Sequence, residues 1–389
     1  MSRKLVIPAM LVVTLALFAC NLTGTASPTA VPTNTGSSPS ATALTPASPT
    51  NTATLAPTNT SVPAATLPPA TATLATPVPV PTNTAVPIPV SGAYIDDRST
   101  PSQVIVSLYN AINRQEYLRA YNYWTTPATS LGSYTAYANG YQNTKSVGLV
   151  FGQITGEPGM SQVYYTVPVI LEATAMNNAR TNYAACYVVH KASPDVFGAP
   201  PFEPMSIDRG SATVANINAS DTSVLATACS GYPTGSGPVP VSSEGLNIDK
   251  SNFIDNRSGP IETVSSFLNA LNLKQYVRAY YYYQDPATYP GPYAPYAAGY
   301  ANTDVITVTF GTVQSEGAAG SLYYKVPLAT HVQTTSSTTQ TFVGCYTLRL
   351  AQPAVQGVPP FQPMGIVSGK FTQVSNSTNV STLLPTACN

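Results

Sequence analysis

The sequence predicts an α+β protein built from two tandem copies of one unit, each with three helices followed by a four-stranded antiparallel sheet. Three observations predict it. Sliding the chain by 159 residues lays Ile95-Asp96-Asp97-Arg98-Ser99 on Ile254-Asp255-Asn256-Arg257-Ser258 and holds register, without a gap, from there to Thr386-Ala387-Cys388. Within each copy apolar residues recur first at helical and then at strand spacing. Each copy also carries two cysteines, 43 positions apart in both. The expected organisation is a leader over 1–19, a stalk over 20–93, the first unit over 94–229, a linker over 230–250 and the second unit over 251–389.

The leader has a short positive start, Arg3 and Lys4, and then an apolar run from Leu5 to Phe18. That run is too short to span a bilayer but suits the core of a signal peptide. It ends on Leu17-Phe18-Ala19-Cys20, which resembles the bacterial lipobox, although Phe18 is larger than that position usually carries. The resemblance implies a lipoprotein whose diacylated, palmitate-bearing Cys20 inserts in a lipid bilayer, since two acyl chains hold where one is marginal. The protein would then sit on the outer, extracytoplasmic face of a bacterial membrane. An ordinary signal peptide with an incidental cysteine is the competing reading.

From Asn21 to Ala93 there is no charged and no aromatic residue, only Pro, Thr, Ala, Ser and Asn with scattered aliphatics and three glycines. Such a stretch cannot bury enough apolar surface to fold. An extended polyproline chain of this length would reach on the order of 200 Å at ~3.1 Å per residue. A disordered tether and a glycosylated rod both fit.

The remainder is poor in charge: the whole chain balances 16 basic against 16 acidic residues, 8% of its length. Nucleic-acid binding needs clustered Lys and Arg to displace counterions from phosphates, and no such cluster occurs. Ser230 to Gly245, rich in Gly, Pro and Ser, reads as the linker.

In the first unit Thr100-Pro101-Ser102-Gln103 looks like a helix start, with Thr100 as cap and proline where its missing N–H costs nothing. Val104, Leu108 and Ile112 then share one helical face. A second helix places Tyr117, Ala120, Tyr121 and Trp124 together, and a third does so with Tyr134, Tyr137, Ala138 and Tyr141. Both patterns recur, as Tyr276, Ala279, Tyr280, Tyr283 and as Tyr293, Tyr296, Ala297, Tyr300. Beyond Gly140 the period becomes two, giving strand-like runs near 145–153, 161–173, 180–192 and 205–217.

The stretch Val106-Ser107-Leu108-Tyr109-Asn110-Ala111-Ile112-Asn113, followed by Glu116-Tyr117-Leu118-Arg119-Ala120-Tyr121, resembles the opening of the nuclear transport factor 2-like superfamily. The second copy resembles it through Phe267-Leu268-Asn269-Ala270-Leu271-Asn272 and Gln275-Tyr276-Val277-Arg278-Ala279-Tyr280. Ala298-Gly299-Tyr300-Ala301-Asn302-Thr303 and Gly344-Cys345-Tyr346-Thr347-Leu348 are similar to stretches of exported members. The resemblance implies a curved sheet wrapped around three helices as a cone with an internal pocket. It also implies, by analogy, that the two copies pair as a pseudo-dimer through their sheets.

Apart from Cys20, the cysteines are Cys186, Cys229, Cys345 and Cys388, which allow three pairings. The repeat selects Cys186–Cys229 and Cys345–Cys388, so that each copy closes itself at a gain of about 4 kcal/mol per bond on the loop-entropy model. Four free thiols are the alternative. A metal site is not expected, because no CxxC and no nearby His completes a ligand set.

Members of the resembled superfamily that are enzymes place a carboxylate or histidine inside the cone, and neither copy has one in a matching place. His190 and His331 align with Arg349 and Glu172 rather than with each other. Strand parity puts Val163, Tyr165, Val167, Val169 and Leu171 on the inner face and Glu172, Tyr164 and Thr166 on the outer one, with His331 outside beside Tyr323 and Lys325. No nucleophile elbow, zinc-protease motif, phosphate-cradling loop or other cofactor signature occurs.

Nine tyrosines of the first copy meet a tyrosine 159 residues later. Of these, Tyr121, Tyr137, Tyr141, Tyr165 and Tyr187 fall on inward faces, as do Tyr280, Tyr296, Tyr300, Tyr324 and Tyr346. They form the candidate pocket, an aromatic space with hydroxyl handles for a small apolar or glycan ligand. A tyrosine core satisfied by backbone carbonyls is the other reading. Asp96/Arg98 and Asp255/Arg257 read as ion pairs pinning the start of each copy, and Arg119 and Arg278 as exposed on the second helix. Pro201-Phe202-Glu203-Pro204 and Pro360-Phe361-Gln362-Pro363 read as rigid loops before the last strand. The functional expectation is a membrane-tethered, non-catalytic binding module. A pocket enzyme acting on a small hydrophobic substrate and a structural envelope spacer are the alternatives.

Overall fold

A computed structural model of the chain describes residues 92–233, 235, 248, 250 and 252–389. The leader, Cys20, the stalk and most of the linker lie outside the described residues. What is described is mixed α+β, with two antiparallel sheets.

The first half opens with α1 (Pro101–Asn113), α2 (Tyr117–Tyr121), α3 (Pro127–Leu131) and α4 (Tyr134–Gly140). Thr100 caps α1 by accepting from the Gln103 N–H at 3.2 Å, as its spacing predicts. The second helix is shorter than expected. It stops at Tyr121 because the chain turns to join the sheet: the Ile207 N–H donates to Tyr123 O and the Thr125 N–H to Ile207 O, which makes Trp124 an edge bridge. The five strands are β1 (Thr144–Phe151), β2 (Thr155–Gly159), β3 (Gln162–Ala175), β4 (Arg180–Ala192) and β5 (Ser206–Val214).

Sheet order is β1-β3-β4-β5, with β2 also on β3. Thus β1 and β2 share one edge of the long β3, interrupted opposite Pro168, where Gly152 N–H reaches the Pro168 carbonyl at 2.8 Å. The fit is tight: a Cβ on Gly152 would lie 3.0 Å from the Pro168 ring and 3.3 Å from Leu225, so either neighbour would have to yield by a few tenths of an ångström. Leu225 belongs to α5 (Asp221–Ala228), a helix not anticipated, which packs on β3 and β4. The disulfide Cys186–Cys229 ties β4 to the end of α5. This covering explains why Ile170 is buried although it points away from the helices, and the Pro233 carbonyl likewise buries Thr166 by accepting from its hydroxyl.

The second half runs α6 (Pro260–Asn272), α7 (Tyr276–Tyr280), α8 (Tyr293–Gly299), β6 (Thr303–Phe310), β7 (Gln314–Ala318), β8 (Ser321–Thr334), β9 (Thr339–Ala351) and β10 (Gly365–Val374), the same strand order without α-helical counterparts of α3 and α5. Its sheet runs β10-β9-β8-β6 with β7 on β8, and Cys345–Cys388 closes it. Each sheet has five strands where four were expected. The extra ones, β2 and β7, each carry glycine and a glutamate and no aliphatic alternation, and form because β3 and β8 offer an unpaired edge. Both terminal strand pairs also contain a bulge, at Val188/Val189 and at Ile366/Ser368, a device that bends a sheet. Each core lies between its sheet and its helices: Val104, Leu108 and Ile112 against Val167, Val169 and Leu171 in one, Val264, Phe267 and Leu271 against Val326 and Leu328 in the other. Among the described residues no helix is long and apolar enough to cross a membrane.

Candidate functional site

The two halves meet through the segments that precede α1 and α6. Asp97 and Asn256 face each other in an antiparallel bridge, Arg98 N–H donates to Asp255 O, and Arg257 N–H donates to Asp96 O, both at 2.6 Å. Serines complete the exchange, Asp96 N–H going to Ser258 Oγ and Asp255 N–H to Ser99 Oγ, each at 2.9 Å. Within each half a helix serine holds the same segment, Ser107 accepting from Asp97 N–H and Ser266 from Asn256 N–H. The sheets take no part in these bonds, so the expected sheet-to-sheet pairing is replaced by pairing of two short strands.

Ionisable groups expected outside are buried here. Arg119 and Arg278 are 1% and 0% exposed, not solvated on their helix. Arg119 donates to Ile95 O, Asn110 Oδ1 and Glu116; Arg278 donates to Ile254 O, Asn269 Oδ1 and Gln275 Oε1. The expected Asp96/Arg98 and Asp255/Arg257 ion pairs do not form either. Each aspartate instead accepts a phenol, Tyr123 or Tyr282, at 2.7 Å. Each arginine spans two carbonyls, Met205 and Asn122 for Arg98, Met364 and Tyr281 for Arg257. Burial pushes the Asp97 carboxyl up to about 6, against the hydrogen bonds from Ser99 and with help from Asp255 and Asp96.

The two sides of this junction differ. Beside the first half Glu116 pairs with both Arg114 at 2.8 Å and Arg119 at 2.6 Å, and Tyr94 hydroxyl reaches Asp96 at 3.2 Å. The equivalent positions in the second half hold Gln275, Leu273 and Phe253. Without a hydroxyl at Phe253, Asp255 Oδ2 is buried with no hydrogen-bond partner. The first half also reaches across here: Lys191 at the end of β4 sets its ammonium 3.5 Å from the centre of the Phe253 ring, and Asp195 accepts from Gln275 Nε2 at 3.3 Å. An open cleft of about 310 Å³ results, walled by Val163, Tyr165, Phe253 and Leu273, with Lys191 and Ser193 among its polar groups. Burial first, and then Arg278, pulls the Lys191 ammonium down to about 8 against Asp255 and Asp195. A second cleft, of about 290 Å³, lies on the outer face of the first sheet beside Glu157, Tyr164, Asp208 and Arg209.

The candidate tyrosine pocket is corrected by its own packing. Tyr121, Tyr137, Tyr187, Tyr280, Tyr296 and Tyr346 are buried core residues, and Tyr141, Tyr165, Tyr300 and Tyr324 pack on them half-buried. Tyr137 sits 5.3 Å from Tyr121 and 5.1 Å from Tyr141, ring centre to ring centre, and Tyr296 is 5.2 Å from both Tyr280 and Tyr300. The rings thus occupy the space a ligand would need. Several hydroxyls are spent internally: Tyr121 and Tyr280 donate to the carbonyls of Gly132 and Gly291, and Tyr109 bonds Tyr187 at 2.5 Å. Burial holds the phenols of Tyr109, Tyr137, Tyr296 and Tyr346 well above their usual range, so they stay neutral. Of the ten, Tyr165 lines one of the clefts described above.

Glu172 is exposed, and both histidines are half-buried on the outer faces, His190 against Tyr164 and Gln162, His331 against Thr341. Among the described residues no group of three or more His, Cys, Asp or Glu is placed to hold a metal. The pattern that marked the junction was present in the sequence, since Ser107, Asn110 and Arg119 recur as Ser266, Asn269 and Arg278. Polar residues repeated on a helix face that should be apolar are a sign of a buried network. In comparison with known proteins, the chain matches no family model, no curated protein and no solved structure.

Proposed function

We propose that the chain is an exported lipoprotein, held in a membrane through Cys20, that displays two tandem cone-like α+β units as an internal pseudo-dimer and binds a small ligand between them. The carrying observation is the open cleft of about 310 Å³ at the junction. It lies within the ~300–1,000 Å³ typical of small-molecule sites and has the usual mixture of apolar walls and a few polar groups. The apolar leader ending in Leu17-Phe18-Ala19-Cys20 and the two disulfides support an extracytoplasmic address. The likeness of both helical openings to the nuclear transport factor 2-like superfamily supports the cone reading, with the difference that these cones are filled by tyrosine.

Two measurements test it. Cells making the full chain should incorporate labelled palmitate into the membrane fraction, and Cys20→Ala should abolish labelling and release the protein. The full chain, purified in detergent, should be thermally stabilised by some member of a panel of small apolar, anionic and glycan ligands. The packed interiors favour a structural spacer as the second reading, and that reading stands instead if no ligand stabilises the chain.

A further inference from the structure

We propose that the junction cleft is a site for one small organic carboxylate with an apolar body, gripped by the Lys191 ammonium and laid against Phe253. The proposal rests on the reading of the chain as a binding module and names what it binds.

Lys191 is the reason for an anion. Its ammonium lies over the face of Phe253, and among the described residues no carboxylate comes within ion-pair distance of it. A ring face partly offsets the loss of water but leaves the charge without a counter-ion. The nearest acid of its own half, Asp195, is engaged by the Gln275 amide. Lys250, also lining the cleft, is paired with Asp304 at 2.7 Å. Arg278 lies behind Phe253, 4.5 Å from its ring centre, fully buried and committed to Ile254 O, Asn269 and Gln275. One cation is therefore free to meet a ligand, which suits a monoanion better than a phosphate dianion facing Asp195 and Asp255.

The walls are the reason for an apolar body. Val163, Tyr165, Phe253 and Leu273 line the same cleft as Lys191, together with Gln275 and Ser193, which offer an amide and a hydroxyl. The opposite side of the junction lacks this chemistry, because Leu350 stands where Lys191 does and Ala354 where Asp195 does, and the arginines there are paired with Glu116. The site should therefore occur once per chain.

The charge of Lys191 is set by groups from every side: Arg278 from α7 opposes it, while Asp255 from the lead-in segment and Asp195 from the turn after β4 support it, with Lys250 at the cleft wall. Lys191 loses its proton near pH 8 in the free protein. Carboxylate affinity should then be level below that value and fall toward tenfold per pH unit above it.

The test is calorimetric titration of the full chain in detergent with benzoate, its neutral analogue benzamide, and inorganic phosphate. Benzoate should bind once per chain and at least tenfold tighter than benzamide or phosphate. Lys191→Leu, which installs the residue the second half carries at this position, should weaken benzoate at least tenfold with an unchanged circular dichroism spectrum. Lys191→Arg should retain binding within a few-fold and lose the fall above pH 8. Equal binding of benzoate and benzamide, a Lys191→Leu variant as good as wild type, or two sites per chain would overturn the proposal. If benzoate fails while another ligand class stabilises the chain, the carboxylate site is wrong and the binding module stands; if no ligand stabilises it, both fall.

Discussion

The two sides of the junction show what happens when one backbone template is given two electrostatic solutions. Around Arg119 the cation is neutralised by Glu116, whereas around Arg278 the same three hydrogen bonds are kept but the carboxylate becomes the amide of Gln275. A buried arginine of this kind is held in place by directional bonds first. Its counter-charge is adjustable, and where it has been withdrawn a second cation, Lys191, has been brought in beside it. Burial alone would lower the charge of both arginines; Tyr123, Tyr94 and Glu116 outweigh it for Arg119, which is raised, and Arg278 is left lowered. The ordered side serves stability and the unbalanced side leaves chemistry unused by the fold.

The largest expected effect separates the two arginines. Arg119→Met takes from the buried Glu116 its buried partner, leaving only the partly exposed Arg114, and should cost about 3 kcal/mol, the low end for breaking a buried pair. Arg278→Met strands neutral acceptors alone and should cost about 1–3 kcal/mol. Urea unfolding of the full chain measures both, and equal losses would break the comparison. The disulfides should not distinguish the halves, because both close 43-residue separations. Replacing either cysteine pair by alanine should cost about 4 kcal/mol on the loop-entropy model.

A smaller effect concerns Asp97, whose counterpart Asn256 cannot titrate. The Asp97 folded value of about 6 lies above that of an unfolded aspartate, so between pH ~4 and ~6 the native state holds more protons than the unfolded one. Stability should therefore fall as pH rises through that window, by up to about 3 kcal/mol, and the deficit should persist above it. Asp97→Asn should remove this slope, read as the difference between the two proteins' unfolding midpoints against pH. The smallest effect is an exchange of Tyr94 and Phe253. Phe253→Tyr should satisfy Asp255 Oδ2 and stabilise by about 1 kcal/mol, and Tyr94→Phe should lose about as much.

Much of this architecture was legible because it follows from period and repetition. Strand runs read from alternation fall on β1, β3, β4 and β5, Thr100 caps where its spacing says, and the repeat alone selects the cysteine pairing. The short strand β2 was not legible, because Thr155 to Gly159 has no strand-forming pattern and borrows its order from β3. Arg119 was misjudged for a physical reason: a charged residue on a short helix is solvated by default, and its three partners come from separate segments. Six of the ten candidate tyrosines are buried, but facing inward does not tell a filled core from a lined cavity. Lys191 carried no signal at all, since its position does not recur and its site needs both halves.

The claim that binding belongs to the junction and not to the tyrosine interiors is tested most directly by hydrogen exchange of the full chain with and without saturating benzoate. Slowed exchange confined to amides of 191–196, 252–256 and 273–278 is the predicted result. Slowing in Tyr134–Gly140 and Tyr293–Gly299, with the junction unchanged, would contradict it and return the ligand to the aromatic cores.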